Sequence, residues 1–389
     1  MFLYRSVKQR FEPGPALVEK MRTFQLMVND CVRLGFDCEE PSYSAIKPLC
    51  YERTLAYPIE DSYRFSAMFE ASNLIKKYRT ESERHNTVRP YCRNLFISAS
   101  VGVRVSGDWL ELPGGLRVKL NQHTMAVLSK QGVEVNSVTA TPQALGVIYR
   151  KEVTEVKLEG VVAFDINPEN VTSFDTEGRT EVYDLAVITQ IHERYRRIKS
   201  RFRRNDIRIK RDLFRKYSAI GHGKKGWVLH NVSSTIVYRA ASLKQAVVME
   251  NLKGIRQMYR RESKSSAFYL SKMNSWPFAE LQRQIEYKAR WEGLPVVYVE
   301  PQGTSSTCSK CGGAMREPPA EHPILTCAAC GLVIDRDLNA AKNILSRGLR
   351  SGHVGSADEV MVGRVSREEE TASKVDADHP SNQDGRIRV

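Results

Sequence analysis

The sequence predicts a multidomain α/β chain, and three observations lead there. Two Cys-x-x-Cys pairs, Cys308/Cys311 and Cys327/Cys330, stand fifteen residues apart. Two short apolar strands each end in a carboxylate, Asp165 and Glu250, and a third acid, Asp337, opens a helix. The hydrophobic period also changes along the chain. It passes from one strand through helices to many short strands, then to strands alternating with helices.

A length of 389 residues implies two to four domains, and 41% hydrophobic residues supply their cores. The formal charge is +14, with 59 Lys+Arg against 45 Asp+Glu. That balance points to a polyanionic partner, most simply nucleic acid. No apolar run long enough for a membrane span is present. MFLYRSVKQRF lacks the apolar stretch of a secretory signal. Four of the eight cysteines have metal spacing, and Cys31, Cys38, Cys50 and Cys92 are scattered, which fits a reducing cytoplasm.

The chain opens on a strand, Phe2 to Phe11, mixing aromatic, β-branched and basic residues. Pro13-Gly14-Pro15 breaks it. Leu17, Met21, Phe24, Val28 and Cys31 then recur at helical spacing, with Gly35 as the stop. Further helices are expected near Ser42–Tyr51 and Ser62–Arg79, the latter with Phe65, Phe69 and Ile75 among its apolar positions. From Tyr91 to Val153 the pattern is short strands and turns, marked by Gly107-Asp108 and Gly114-Gly115. One strand, a helical insert and several more strands predict a small barrel-like domain. Its strand residues Arg5, Lys8, Arg104, Arg117 and Lys119 suit either a nucleic-acid groove or a solvated face.

Glu159 to Asp165 reads as a buried strand, Val171 to Phe174 as its hairpin partner, and Tyr183 to Thr189 as a third strand. Between Arg194 and Lys225 lie fourteen basic residues opposed only by Asp206 and Asp212. A solvated helix face usually alternates its signs, so phosphate contact is the favoured reading, at Arg194, Arg196, Arg197, Arg201, Arg203, Arg204, Arg208, Lys210 and Arg211. A helix over His230–Ala241, the strand Ala246–Glu250, an amphipathic helix from Trp276 to Trp291 and a strand Pro295–Val299 follow. Residues 351–389 carry acidic clusters and few large apolar residues, and are expected to form a disordered acidic tail.

The cysteine spacing is that of a four-thiolate zinc ribbon. Four thiolates fill a tetrahedral shell, so the Zn2+ would be structural rather than catalytic. Gly312 and Gly331 each follow a second cysteine, where a knuckle needs positive φ. Redox pairs or free thiols are the plainer alternative. The order of strands, helices and acids suits an RNase H-like layered fold. Three gathered carboxylates call for a cation, and hard oxygen ligands select Mg2+ or Mn2+. Two such ions could activate water and stabilise the leaving oxygen of a phosphodiester. An acid after an apolar strand also serves as a simple terminator, and an aspartate before a helix as a cap; spacing alone leaves these open.

The ordered set VVAFDINPENVTSFD, VVMENLKGIR, GTSSTCSKCGG and CAACGLVIDRDLNAAKNIL closely resembles TnpB, the OrfB family of prokaryotic insertion sequences, relatives of type V CRISPR effectors. SAIKPLCYER and TPQALGVIYRKEV extend the resemblance upstream, so that it covers roughly residues 1–350. It implies a RuvC-like nuclease over 156–302 and 331–350, split by a zinc ribbon at 303–330. It also implies a wedge β-barrel over 1–12 and 88–155, interrupted by a helical recognition region at 13–87. Asp165, Glu250 and Asp337 match the three RuvC acids, and Asp335 becomes a capping neighbour. Asn167-Pro168 follow Asp165 where many members carry glycine. The implied activity is guide-RNA-directed cleavage of double-stranded DNA beside a short adjacent motif, in a prokaryotic cytoplasm near the nucleoid. A nuclease-inactive RNA-guided regulator and a transposition accessory protein are the alternatives. The intact acid set disfavours the first, and the lack of a His-x-His pair disfavours a His-Tyr transposase proper.

Overall fold

In a computed structural model of the chain, residues 1–82, 90–202, 206–252, 276–316 and 323–351 are described. The acidic tail expected beyond Ser351 lies outside them. Two compact units emerge, Met1–Glu152 and a second from Val153 onward.

In the first unit, β1 (Phe2–Arg10) leads into three helices, α1 (Pro15–Gly35), α2 (Tyr43–Thr54) and α3 (Asp61–Ser82). Pro15 at the first turn of α1 has no amide to lose there. The expected stripe Leu17, Met21, Phe24, Val28 and Cys31 is buried. On α3 the expected Ile75 is buried together with Tyr63, Ala67, Met68 and Ala71, whereas Phe69 is exposed. Phe65 and Phe69 lie beside Tyr51 and Tyr43 of α2, so neighbouring aromatic rings rather than the core occupy them.

Short strands follow: β2 (Ile97–Ala99), β3 (Arg104–Ser106), β4 (Trp109–Leu112) and β5 (Leu116–Lys119). A helix not anticipated from sequence, α4 (Gln122–Leu128), interrupts them. It is capped by Asn121, whose Oδ1 accepts from the Thr124 amide at 2.7 Å. Then come β6 (Val133–Ala140) and β7 (Ala144–Glu152). The expected barrel is corrected here: among the described residues these strands form an open sheet, β1-β7-β6-β2, and a separate meander, β3-β4-β5. Positive-φ glycines at 102, 107, 114 and 115 cut the passage into pieces of three and four residues. Such pieces are too short for the stagger that closure requires.

The second unit begins with β8 (Gly160–Ile166), β9 (Asn170–Asp175) and β10 (Thr180–Asp184). The third strand therefore shares only Tyr183 and Asp184 with the expected Tyr183–Thr189, whose later residues start α5 (Ala186–Ser200). A π-helical turn, Ile209–Phe214, leads into α6 (Arg215–Ser242). After β11 (Gln245–Glu250) come α7 (Phe278–Trp291), β12 (Val296–Val299), and three ribbon strands, β13 (Met315–Arg316), β14 (Ile324–Cys327) and β15 (Val333–Asp335). The last helix is α8 (Arg336–Arg350).

The central sheet runs β10-β9-β8-β11-β12. Its first three strands are antiparallel, and β8, β11 and β12 are parallel. Strand alternation sorts the side chains. Val162, Phe164, Val247 and Met249 meet Leu229, Ile236, Leu281 and Ile285 of α6 and α7. Val161, Ala163, Ala246, Val248, Val297 and Val299 meet Ile344 and Leu345 of α8. This is the RuvC-like RNase H layering, with helices on both faces of a mixed sheet. Gly348 lets α8 approach the sheet closely: a Cβ there would stand 2.7 Å from Val248.

Candidate nuclease site and zinc ribbon

Period two decides where the first two acids point. In β8, Asp165 shares its face with Val161 and Ala163; in β11, Glu250 shares its face with Ala246 and Val248. That is the α8 face. The two strands are parallel and paired up to Phe164 opposite Met249, so the acids sit one step further, side by side at the strand ends. On α8, Asp337 precedes Ala341, Ile344, Leu345 and Gly348 by four, seven, eight and eleven residues. Helical period therefore aims it at the same sheet end.

Asp165 is 7% exposed. Burial first, then the charges of Glu250 and Asp337, push its carboxyl up to about 8. Burial also raises Glu250, against a hydrogen bond from Thr304 and the nearby Arg347. Neighbouring amides orient the acids. Asn167 Nδ2 donates to Asp165 Oδ2 at 2.7 Å, and Asn170 Nδ2 to Asp337 Oδ2 at 3.1 Å. The Thr304 hydroxyl donates to Glu250 Oε1 at 2.6 Å. Asp335 does what its position suggested: its Oδ1 caps α8, accepting from the amides of Asp337 at 2.9 Å and Leu338 at 3.0 Å.

The residues fit hard divalent cations. Glu250 and Asp337 both act on the buried Asp165, and the buried amide oxygen of Asn170 finds no hydrogen-bond partner among the described residues. The carboxylates are not drawn tightly together, however. Among the described residues, the set of three or more ligand-type side chains whose ligand atoms all lie within 4.8 Å is the four cysteines.

Those cysteines form two matching knuckles. The carbonyls of Cys308 and Cys327 accept from the amides of Gly312 and Gly331, and their own amides donate to Gly313 and Leu332. Gly312 and Gly331 have φ of 76° and 69°, as the sequence required. Cys308 Sγ lies 3.7 Å from Cys330 Sγ, and Cys311 Sγ 3.5 Å from Cys327 Sγ. A tetrahedron with metal–sulfur arms of about 2.3 Å has edges of about 3.8 Å, whereas a disulfide is about 2.05 Å long. The spacing thus suits a metal shell. Backbone amides of Cys330 and Ala329 lower the Cys327 thiol to about 6, while Cys311, against a backbone bond from Gly313, is raised to about 12 by hydrogen bonds with Cys330 and Cys327, so without a metal the cluster holds its protons unevenly.

The polar links between these two centres were not apparent from the sequence. Asn339 is fully buried; its Oδ1 accepts from the Ser309 amide at 3.0 Å and its Nδ2 donates to Thr307 O at 2.9 Å. Asn343 Nδ2 donates to Thr304 O and Thr307 O, both at 2.7 Å. Arg347 donates to Glu300 O. The signal was present as amides at positions 339 and 343, one helical turn apart, flanking an apolar stripe.

Of the basic candidates, Arg194, Arg196, Arg197, Arg201, Arg208 and Arg211 are exposed around α5 and the π-turn. Arg203 and Arg204 lie outside the described residues, as does the Lys210 side chain. The two opposing acids are engaged: Asp206 lies 3.6 Å from Arg208, and Asp212 2.9 Å from Arg211. Burial, then Lys225, Arg196 and Lys199, against Glu193, hold His192 below the usual histidine range. In the first unit, Arg117 and Lys119 pair with Glu111 and Asp108. No helix among the described residues is long and apolar enough to cross a membrane.

Residues 278–344 match the family described as Cas12f1-like, TNB domain. The chain is 31% identical to a TnpB-like protein of Methanocaldococcus jannaschii over 232 residues, which is 57% of this chain and 80% of that protein. It is 35% identical over 136 residues to the CRISPR-associated endodeoxyribonuclease Cas12f2 of a Micrarchaeota archaeon, covering 33% of this chain and 24% of that protein. Among solved structures, a Cas12f1 in complex with sgRNA and target DNA is similar in fold. The TM-score is 0.55 at 14% identity, with 85% of this chain and 83% of that chain covered.

Proposed function

The chain belongs to the TnpB-like family, and on that basis we propose that it is an RNA-guided DNA endonuclease whose active site is Asp165, Glu250 and Asp337. The observation that carries the reading is the convergence of these acids, from two adjacent strand ends and one helix start, where burial and mutual charge lift Asp165 to about 8. Perturbation of this kind marks sites that hold cations or move protons.

The three carboxylates would hold Mg2+ or Mn2+, which supplies activation of water and neutralises charge on the phosphodiester. Asn167 and Asn170 orient Asp165 and Asp337 by single amide bonds. The packing of α8 on the sheet fixes the third acid relative to the first two. Cys308, Cys311, Cys327 and Cys330 would hold a structural Zn2+, a role supported by their spacing. The exposed arginines of α5 and the π-turn hold nucleic-acid backbone. Sequence specificity comes from pairing between a guide RNA and one strand of duplex DNA. In this reading, 1–12 and 88–155 form a wedge unit and 13–87 a helical recognition region.

The test is cleavage of a plasmid carrying target and adjacent motif by the guide-loaded protein with Mg2+, run beside a binding assay. Cutting that needs all three acids supports the proposal. Target binding without cutting under Mg2+ and Mn2+ would replace it with an RNA-guided regulator.

A further inference from the structure

Three side chains on α8, Asn339, Asn343 and Arg347, stand at intervals of four residues and so form one stripe. It is distinct from the stripe that packs on the sheet. Its partners run in the opposite chain direction. Arg347 bonds Glu300 O, Asn343 bonds Thr304 O and Thr307 O, and Asn339 bonds Thr307 O and the Ser309 amide. The segment from 300 to 309 is thereby laced to the helix that carries Asp337. It joins the end of β12 to the first zinc knuckle. Within it, Thr304 is 4% exposed and reaches Glu250.

The Thr304 hydroxyl has one proton and two acceptors in range, Glu250 Oε1 at 2.6 Å and Pro301 O at 2.9 Å. The charged acceptor is the stronger, so the proton goes to the carboxylate when Glu250 is ionised. That bond fixes one carboxylate oxygen and leaves the other available as a ligand. Glu250 lies on a strand and Asp337 on a helix, and packing alone sets elements less sharply than directional bonds do.

We propose that Thr304 is a positioning residue for Glu250, and that the Asn339–Asn343–Arg347 stripe exists to hold it there, tying the second acid to the helix of the third. The zinc knuckle anchors the far end of the same segment. The inference rests on the divalent-ion reading of the three acids.

The test uses the full chain without guide or DNA and Mn2+ as the probe, followed by the EPR signal of the free ion. Thr304→Val keeps the shape and removes the hydroxyl; Thr304→Ser keeps the hydroxyl. Thr304→Val should raise the Mn2+ concentration for half-saturation about tenfold, with zinc content and melting temperature unchanged. Thr304→Ser should restore binding to within about twofold of the unaltered chain. Asn343→Ala should shift binding in the same direction, and the double variant should bind no worse than Thr304→Val alone, because both act through one carboxylate. Unaltered binding in Thr304→Val, beside weakened binding in Glu250→Ala, would overturn the proposal and leave the site reading intact. So would equal losses in Thr304→Val and Thr304→Ser accompanied by lower melting temperatures, which would mark a purely structural role. If Glu250→Ala itself bound Mn2+ like the unaltered chain, the site reading and this inference would both fall.

Discussion

The two centres of the second unit gather anionic ligands by opposite means. The four cysteines come from two knuckles fifteen residues apart, shaped by local amides and two positive-φ glycines. Their sulfurs lie within 4.8 Å of one another. The three carboxylates come from two strands and a helix, and 85 and 87 residues separate them in turn. They are less tightly gathered, and burial and repulsion raise Asp165. The ribbon is a closed centre that a short piece of chain can specify. The acid site is an open one, held by packing and side-chain amides, and burial there disfavours the ionised form of Asp165 and Glu250. Closure suits structure; carboxylates whose charge the fold compensates incompletely suit ion binding and chemistry.

The sharpest way to break this contrast is to delete a ligand from each centre. Asp165→Ala, Glu250→Ala and Asp337→Ala should each abolish cleavage in the plasmid assay while guide and target binding persist. Cys308→Ser should do the reverse in kind. It should lose zinc by metal analysis and lower the melting temperature, because binding energy at such a centre is folding energy. A zinc-free protein with an unchanged melting curve would show that the ribbon holds itself without metal.

The basic surface should answer to salt rather than to sequence. Neutralising Arg194, Arg197, Arg201 and Arg208 should weaken binding of all duplexes and single strands alike. The log–log salt slope should flatten by about 0.7–0.9 for each phosphate that is no longer neutralised. An unchanged slope would assign these arginines to a solvated face.

A subtler prediction concerns stability. The folded Asp165 carboxyl titrates at about 8, above its value of 3.8 in a free chain. Protonation is therefore favoured in the fold, and that stabilisation, full below about pH 4, is lost as pH rises through about 8. Asp165→Asn mimics the protonated form. In protein kept free of Mg2+ and Mn2+ at pH 9 it should raise the melting temperature by about 4 °C or more, with the gain shrinking on acidification. A melting temperature that fell at pH 9 would show the charge to be compensated. The smallest effect is expected at Asp335, whose carboxylate bonds the backbone amides of Asp337 and Leu338. Asp335→Ala should cost about 1 kcal/mol of stability by denaturant titration and leave cleavage measurable. Loss of cleavage there, with Asp337→Ala active, would move the third ligand by two residues.

Much of this was legible in one dimension because it is locally encoded. The thiolate spacing, both knuckle glycines, the Asp335 cap, the acid-ended strands and the buried stripe of α1 all follow from periodicity or from residues a few positions apart. Where local signals conflicted, tertiary context decided. Short strands predicted a barrel, yet glycine-broken pieces paired into an open sheet and a separate meander. Phe69 read as core but is exposed beside Tyr43. YDLAVIT read as a strand, but pairing with β9 ends at Asp184 and the following residues turn into α5. By itself, then, the sequence determined which residues are acids at element ends and which cysteines cluster, since alternation and knuckle geometry repeat every few residues. Only the folded chain decided that Thr304 reaches Glu250 and that Asn339 and Asn343 grip its loop. Those bonds join residues 32 to 54 positions apart, and a hydrogen bond at that range has no period to announce it.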